Sequence, residues 1–342
     1  MTNLTRRDIL KLSGAGLAAL ALASLRLDEA RALESRAAFQ GRATYSGVHV
    51  FEAPAFNAKQ APKKLGKDEV INVLAQTIGD GDYNRVWYRF DRGYTYSGWI
   101  QPVLTKLQTP VTTLPRKNML GEITVPFAET RRFATIHSDR SYRMYYGSTY
   151  WVKGVIQNTD EGTVWYEVFN KLYNLTVYVN ATDMRLIPDD ELAPLSPNVP
   201  DALKTIHVDL RTQYVTAFEG EKMVYRSRCS SGSGPKTPLG NFQTYHKGPS
   251  IHMTNQGDAV QNLYDLPGVP WCTFFTGNGE AFHGTYWHND FGKPRSHGCV
   301  NLPNSAAKFI YRWTSPNVPP ETEYLYQPKT GTAVTVVKSE PS

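Results

Sequence analysis

The feature of this sequence with the most chemical content is a cysteine sixteen residues downstream of a histidine. The run His283-Gly284-Thr285-Tyr286-Trp287-His288 is followed by Phe291-Gly292-Lys293-Pro294-Arg295. Next comes Ser296-His297-Gly298-Cys299-Val300-Asn301. A free thiol has a pKa of about 8.5, so near neutrality the thiolate is a minority and the sulfur needs a base or cation beside it. Two imidazoles in this run can supply one, and a loop between a strand end and the cysteine turn would bring His283 to the thiol. Gly298 permits close backbone approach. The turn would then present the Cys299 N–H, with that of Gly298, to a developing oxyanion. A helix after the cysteine adds a favourable dipole if its N-terminus points back at the sulfur. The chemistry these residues suit is nucleophilic acyl transfer. His283, His288 and His297 with one cysteine match no zinc-ligand spacing, and the reaction needs no metal or other cofactor.

These residues must be held by strands. His207 to Leu210 and Tyr214 to Phe218 read as strands, and Glu219-Gly220 turns the chain into a returning arm over Lys222 to Ser227. Ser231 to Pro235 is a loop, and Thr237-Pro238-Leu239-Gly240 a turn before a strand at Phe242. Cys272 to Phe275 and Ala281 to His283 flank the hairpin signal Gly277-Asn278-Gly279. Ala306, Phe309, Ile310 and Trp313 recur at helical spacing, with Asn304 or Ser305 as the expected cap. The segment 202–338 is therefore expected to be mostly β, with one helix directly after the cysteine motif.

Upstream there is a weak internal repeat. Val86-Trp87-Tyr88-Arg89-Phe90 returns seventy-eight residues later as Val164-Trp165-Tyr166-Glu167-Val168, and Gly41 and Gly121 can each open a unit. The short alternating strands predict two small β-barrel-like modules, 41–103 and 121–188, similar to bacterial SH3-like domains. They are joined by a linker over 104–120 and followed by an acidic, proline-rich linker over 189–201.

The chain has 342 residues, 41% apolar content, 20 tyrosines, 7 tryptophans and a formal charge of +6, which suits a globular, β-rich protein. There is no dense Lys/Arg run, so nucleic acid is not an expected partner. Residues 1–32 read as an export signal. The twin pair Arg6-Arg7 precedes an apolar stretch from Leu12 to Leu25, too short to span a membrane comfortably, and Ala30-Arg31-Ala32 has the form of a cleavage site. The expectation is extracytoplasmic residence in the periplasm or cell wall by the Tat route, with the membrane touched only through an uncleaved signal. Outside the cytoplasm the three cysteines become informative. Either Cys229 and Cys272 form a disulfide and Cys299 stays free, or the first two are buried thiols.

His-Gly-Thr followed by Ser-His-Gly-Cys-hydrophobic-Asn resembles the signature of the L,D-transpeptidase (YkuD-like) family, over about 204–338. Ser230-Ser231-Gly232 and Thr237-Pro238-Leu239-Gly240 are also similar to that family. The resemblance implies a β-sandwich-like catalytic domain in which Cys299 is acylated and His283 is the general base. It further implies that the Gly284 carbonyl orients the imidazole and that His297, with the Gly298 and Cys299 amides, lines the oxyanion site. Ser296, Asn301, Tyr286, Trp287, His252 and Met253 are expected at the substrate. Tyr245, His252, Met253, Trp271, Tyr286 and Trp287 form either a lid over the site or ordinary packing. The implied partners are peptidoglycan stem peptides, as donor and as acceptor. The competing readings are an L,D-carboxypeptidase, an exported cysteine amidase, a non-catalytic wall-binding protein, or attachment of a protein side chain to the wall. The order of His283 before Cys299 counts against the amidase.

Overall fold

The computed structural model of the chain describes residues 39–254 and 264–340. The expected export signal lies outside the described residues. The chain is mainly β, with one α-helix among the described residues.

The first unit holds β1 (Phe39–Ala43), β2 (Val70–Val73), β3 (Ala75–Ile78), β4 (Val86–Phe90), β5 (Gly93–Tyr96) and β6 (Ile100–Val103). They form two three-stranded sheets, ordered β2-β1-β6 and β3-β4-β5. The second unit holds β7 (Met119–Ile123), β8 (Phe127–Arg131), β9 (Arg140–Tyr145), β10 (Thr149–Asn158), β11 (Thr163–Asn170), β12 (Leu175–Asn180) and β13 (Met184–Leu186). Here one sheet runs β13-β7-β10-β11-β12-β8-β9. The repeat is carried into three dimensions. Trp87-Tyr88 and Trp165-Tyr166 are buried in the central strand of an antiparallel meander in each unit. A 3-10 turn, Ser97–Trp99 or Ala181–Asp183, then leads to a last strand paired with the first. Gly41 and Gly121 occupy the same place in this scheme. A side chain at Gly41 would collide with Ile100, and one at Gly121 with Met184, so the first and last strands close only around a residue without Cβ.

Neither connecting stretch hangs free. Lys106 N–H donates to Thr124 O and Gln108 N–H to Thr182 O, while Val111 and Leu114 pack on the second unit's core. In the proline-rich stretch, Leu192 is buried in the core of the following domain, and Leu195 N–H donates to Arg312 O.

That domain contains β14 (Lys204–Asp209), β15 (Tyr214–Glu219), β16 (Lys222–Arg228), β17 (Gly240–Gln243), β18 (His246–Thr254), β19 (Asp265–Phe274), β20 (Ala281–Gly284), β21 (Val300–Leu302), α1 (Asn304–Trp313), β22 (Leu325–Tyr326) and β23 (Ala333–Val337). Two five-stranded sheets, β16-β15-β14-β23-β17 and β21-β20-β19-β18-β22, share one core. Ala306, Ala307, Ile310, Tyr311 and Trp313 of α1 fill it, the buried stripe that the helical spacing requires. Two buried lysines complete the helix's C-terminal end. Lys204 Nζ donates to Trp313 O at 3.1 Å, and Lys247 Nζ donates to Thr314 O at 2.7 Å and Pro316 O at 2.8 Å. Each ammonium thus meets carbonyls that the helix leaves unpaired.

The expected cap is corrected. Pro303 is the N-cap, and no side chain caps the helix. Asn304 is used elsewhere. Its Oδ1 accepts from Thr285 N–H at 2.9 Å and its Nδ2 donates to Gly147 O at 3.0 Å, tying the histidine strand to the second unit. Cys229 and Cys272 are both buried free thiols, which decides between the two readings of the cysteines.

Candidate active site

β20 and β21 are parallel neighbours, with Phe282 opposite Val300 and His283 opposite Asn301. One step back along that register sets Cys299 beside Ala281. Because side chains alternate along a strand, His283 and Cys299 face the same way on adjacent chains, offset by two residues. The His283 imidazole is buried, and its Nδ1 lies 2.9 Å from Gly284 O. A carbonyl only accepts, so Nδ1 carries the proton and Nε2 is left as the acceptor. Burial presses this imidazole down to about pKa 4, with the Gly284 carbonyl working against the shift.

Cys299 is half-buried. Its thiol donates to Gly279 O at 3.8 Å, and burial pushes it up to about 11. The nearby Glu280 carboxylate adds to the rise, and a hydrogen bond from Ala281 N–H opposes it. The resting pair is therefore neutral thiol and neutral imidazole, not thiolate and imidazolium. In chain order β21 lies between Cys299 and the first turn of α1.

The turn before the cysteine is braced from three sides. Ser296 Oγ donates to Cys299 O at 2.5 Å and accepts from Gly298 N–H at 3.0 Å. Thr237 Oγ1 donates to Gly298 O at 2.7 Å and accepts from Gly232 N–H at 2.8 Å. Ser230 exchanges both backbone hydrogen bonds with Asn301 at 2.9 Å. Gly298 has φ +147°, a region that side chains resist. The Gly298 amide is engaged by Ser296, so it is not free for an oxyanion in this arrangement. Ser296 is thus a brace of the turn rather than an exposed substrate group.

The loop after His283 is gripped by both upstream units. Arg42, 1% exposed, donates to Asp68 Oδ1 at 2.6 Å, to Gln101 Oε1 at 2.7 Å and to the Tyr286 carbonyl at 2.6 Å. Its guanidinium lies 4.2 Å from the Tyr145 ring, which stacks on Tyr286 at 5.3 Å. Asp68 also takes Arg143 of the second unit at 2.7 Å. Further along, Tyr96 OH donates to Asp290 Oδ1 at 2.7 Å, and Arg295 holds the other carboxylate oxygen at 2.5 Å. Asn289 N–H donates to Gly98 O.

The histidine–cysteine spacing, the parallel ladder and the Ser-His-Gly-Cys turn lie within one recognised domain. Residues 203–336 match the YkuD family, the L,D-transpeptidase catalytic domain. No curated protein matches the chain. Among solved structures, the chain is similar to an L,D-transpeptidase mutant of Enterococcus faecium, at 22% identity over 39% of this chain and 49% of that one, TM-score 0.32. It is also similar to an L,D-transpeptidase from Mycobacterium smegmatis, at 16% identity over 53% and 80%, TM-score 0.33. A third likeness is to the L,D-transpeptidase of Xylanimonas cellulosilytica, at 26% identity over 39% and 59%, TM-score 0.28. The chain thus spans about half the length of the Enterococcus protein.

Within the matched residues 203–336 and the strands around them the expected site residues separate into two groups. Cys299, His283, Gly284, Ser296 and Gly298 come together, and Trp287 stands beside them with its ring 5.6 Å from that of His283. His297 is exposed on the turn, its ring 5.4 Å from that of Tyr264. The other four expected substrate residues lie in different surroundings. Asn301 is 2% exposed and faces His288 Nε2 at 2.9 Å. Tyr286 is 3% exposed with its hydroxyl donated to Pro267 O at 2.9 Å, and it sits between the units in the lining of the cleft that also holds Trp287. His252 and Met253 lie on the β18–β19 ribbon, where His252 binds Asp265 and Met253 is opposite Leu266. Trp271 belongs to the core. Tyr245, through its hydroxyl, holds Thr276 O at 2.8 Å. Burial presses His288 down to about pKa 3, with Arg295 adding to the shift, and its Nδ1 accepts from Asp290 N–H at 3.2 Å. Sequence reasoning missed Glu280, whose only signal was its place at the end of the Gly277-Asn278-Gly279 turn.

Proposed function

We propose that this protein is an exported L,D-transpeptidase that cross-links peptidoglycan stem peptides through a thioester on Cys299. The observation that carries the reading is the placement of His283 and Cys299 on one face of two adjacent parallel strands, with His283 Nδ1 fixed to Gly284 O so that Nε2 can accept a proton. His283 takes the thiol proton as Cys299 attacks the L,D peptide bond of a tetrapeptide stem. It then returns that proton to the departing D-residue. The Cys299 N–H meets the oxyanion, with His297 at the rim. An amine of a second stem resolves the thioester, and water in its place would make the enzyme an L,D-carboxypeptidase. Burial lowers the His283 imidazole and raises the Cys299 thiol, so both rest neutral and the proton moves to Nε2 only as Cys299 attacks. The two upstream β units, which we take as SH3-like, serve in this reading to brace the loop after His283. Export rests on the N-terminal sequence alone.

The test is incubation of residues 33–342 with a disaccharide-tetrapeptide, with products followed by mass spectrometry beside Cys299→Ala. A cross-linked dimer made only by the unsubstituted protein is the expected result. A tripeptide alone would replace transpeptidase by carboxypeptidase. No product from either would reject the reading.

A further inference from the structure

Beside the proposed catalytic pair lies a cleft of about 260 Å³ walled by all three parts of the chain. Trp287, next to His283, forms its inner side. Asp265 and Leu266 form a second side, immediately after Tyr264, the neighbour of His297. The outer side comes from upstream: Lys67 of the first unit, with Arg143 and Tyr173 of the second. Arg143 is held by Asp68 and Glu129, whereas Lys67 is exposed and its ammonium has no ion-pair partner among the described residues. Asp265, across the cleft, is already engaged by His252 and Tyr173. The lining's Arg42 and Arg143 are thus met by Asp68 and Glu129, and the lining cation left without an ion-pair partner among the described residues is Lys67.

We propose that this cleft receives the acyl acceptor, a second stem peptide, by its carboxylate groups, so that the upstream units help decide whether the acyl-enzyme is cross-linked or hydrolysed. The proposal rests on the transpeptidase reading above. The chemistry fixes the side. In the first step the leaving amine takes a proton from His283, and in the second the incoming amine gives one to it, so both occupy the imidazole side of the thioester. Trp287, whose ring lies 5.6 Å from that of His283, is part of the cleft lining on that side. The acceptor nitrogen attacks the thioester carbonyl, the new C–N bond forms and the C–S bond breaks. The amine proton passes to His283 and on to the Cys299 sulfur, restoring the thiol. Water competes for the same position, and an acceptor held in the cleft outcompetes it through its raised local concentration. A stem peptide brings carboxylates that Lys67 and Arg143 can meet.

The experiment uses the full exported chain with a disaccharide-tetrapeptide donor and a stem tripeptide as acceptor at increasing concentration. The ratio of cross-linked to hydrolysed product is read by mass spectrometry. Lys67→Glu, Lys67→Arg and Tyr173→Ala are compared with the unsubstituted protein, and acylation of Cys299 by a carbapenem-type β-lactam is timed in each. Lys67→Glu should lower the ratio at low acceptor by roughly five- to tenfold, Lys67→Arg should retain it, and acylation should stay within about twofold in all. An unchanged ratio in Lys67→Glu and Tyr173→Ala, with normal acylation, overturns the proposal. So does an equal loss of acylation and cross-linking, which would put the cleft on the donor side. An unsubstituted protein that forms no acyl-enzyme overturns the transpeptidase reading itself.

Discussion

Replacing Arg42 by Met should be among the most damaging single changes outside the cysteine turn. The side chain is 1% exposed and joins the first unit to the loop after His283. Methionine fills much of the same space, so the loss is polar rather than a cavity. Asp68, whose side chain is 3% exposed, loses its 2.6 Å partner but keeps Arg143 at 2.7 Å. Gln101 Oε1 and Tyr286 O lose donors at 2.7 and 2.6 Å. Breaking a buried ion pair costs about 3–5 kcal/mol, and a buried acceptor left without its donor about 1–3 kcal/mol. These terms overlap, and Arg143 still screens Asp68, so the expected destabilisation is about 3–4 kcal/mol. The assay is urea unfolding followed by tryptophan fluorescence for Arg42→Met, Asp68→Asn and the double variant. The double variant should be less damaged than the sum by at least about 1.5 kcal/mol. β-Lactam acylation of Arg42→Met should fall, because the Tyr286 carbonyl is released. A loss below about 1 kcal/mol, or additivity within about 0.5 kcal/mol, refutes the reasoning.

Three further outcomes are expected. With its thiol near 11, Cys299 has about one molecule in ten thousand as thiolate at pH 7, so iodoacetamide alkylation should speed up about tenfold per pH unit from 7 to 10. A plateau below pH 8 would mean a thiolate–imidazolium pair instead. Gly298→Ala sets a Cβ 3.0 Å from Glu280 Cγ and 3.2 Å from Lys236 O at a φ of +147°, and acylation kinetics should show at least a roughly tenfold loss. A rate equal to that of the unsubstituted protein would show that the turn tolerates the side chain. His283 and His288 have folded pKa values depressed to about 4 and about 3. Between those values and 6.5 the unfolded chain binds protons that the folded chain refuses, so stability should fall as pH drops through that window. His288→Gln should fall less steeply, by up to about 1.4 kcal/mol per pH unit, in urea titrations at pH 7, 6 and 5. Equal slopes would remove His288 from the account.

The proposed nucleophile and base could be picked out as candidates because their evidence is local. A thiol needs a neighbouring base, a tight turn needs Gly298, and Ser-His-Gly-Cys sets these side by side in sequence. The helix after the motif was legible from Ala306, Ile310 and Trp313, since one buried face imposes a fixed spacing. The doubled Trp-Tyr strand likewise showed that two units precede the domain. Other roles were hidden because they depend on partners far along the chain. The sequence did not show that the Asn301 amide meets His288, or that Tyr145 stacks on Tyr286 while Arg42 binds its carbonyl. Asn304 read as a cap, but its side chain bridges Thr285 and Gly147 instead. By itself, then, the sequence determined which residues can do acyl-transfer chemistry and which strands and helix carry them, because spacing and turn chemistry act over a few residues. Only the tertiary structure decided that the upstream units clamp the histidine loop and that the thiol rests protonated. Burial and long-range ion pairing arise where distant segments meet, as Arg42 meets Tyr286 across 244 positions.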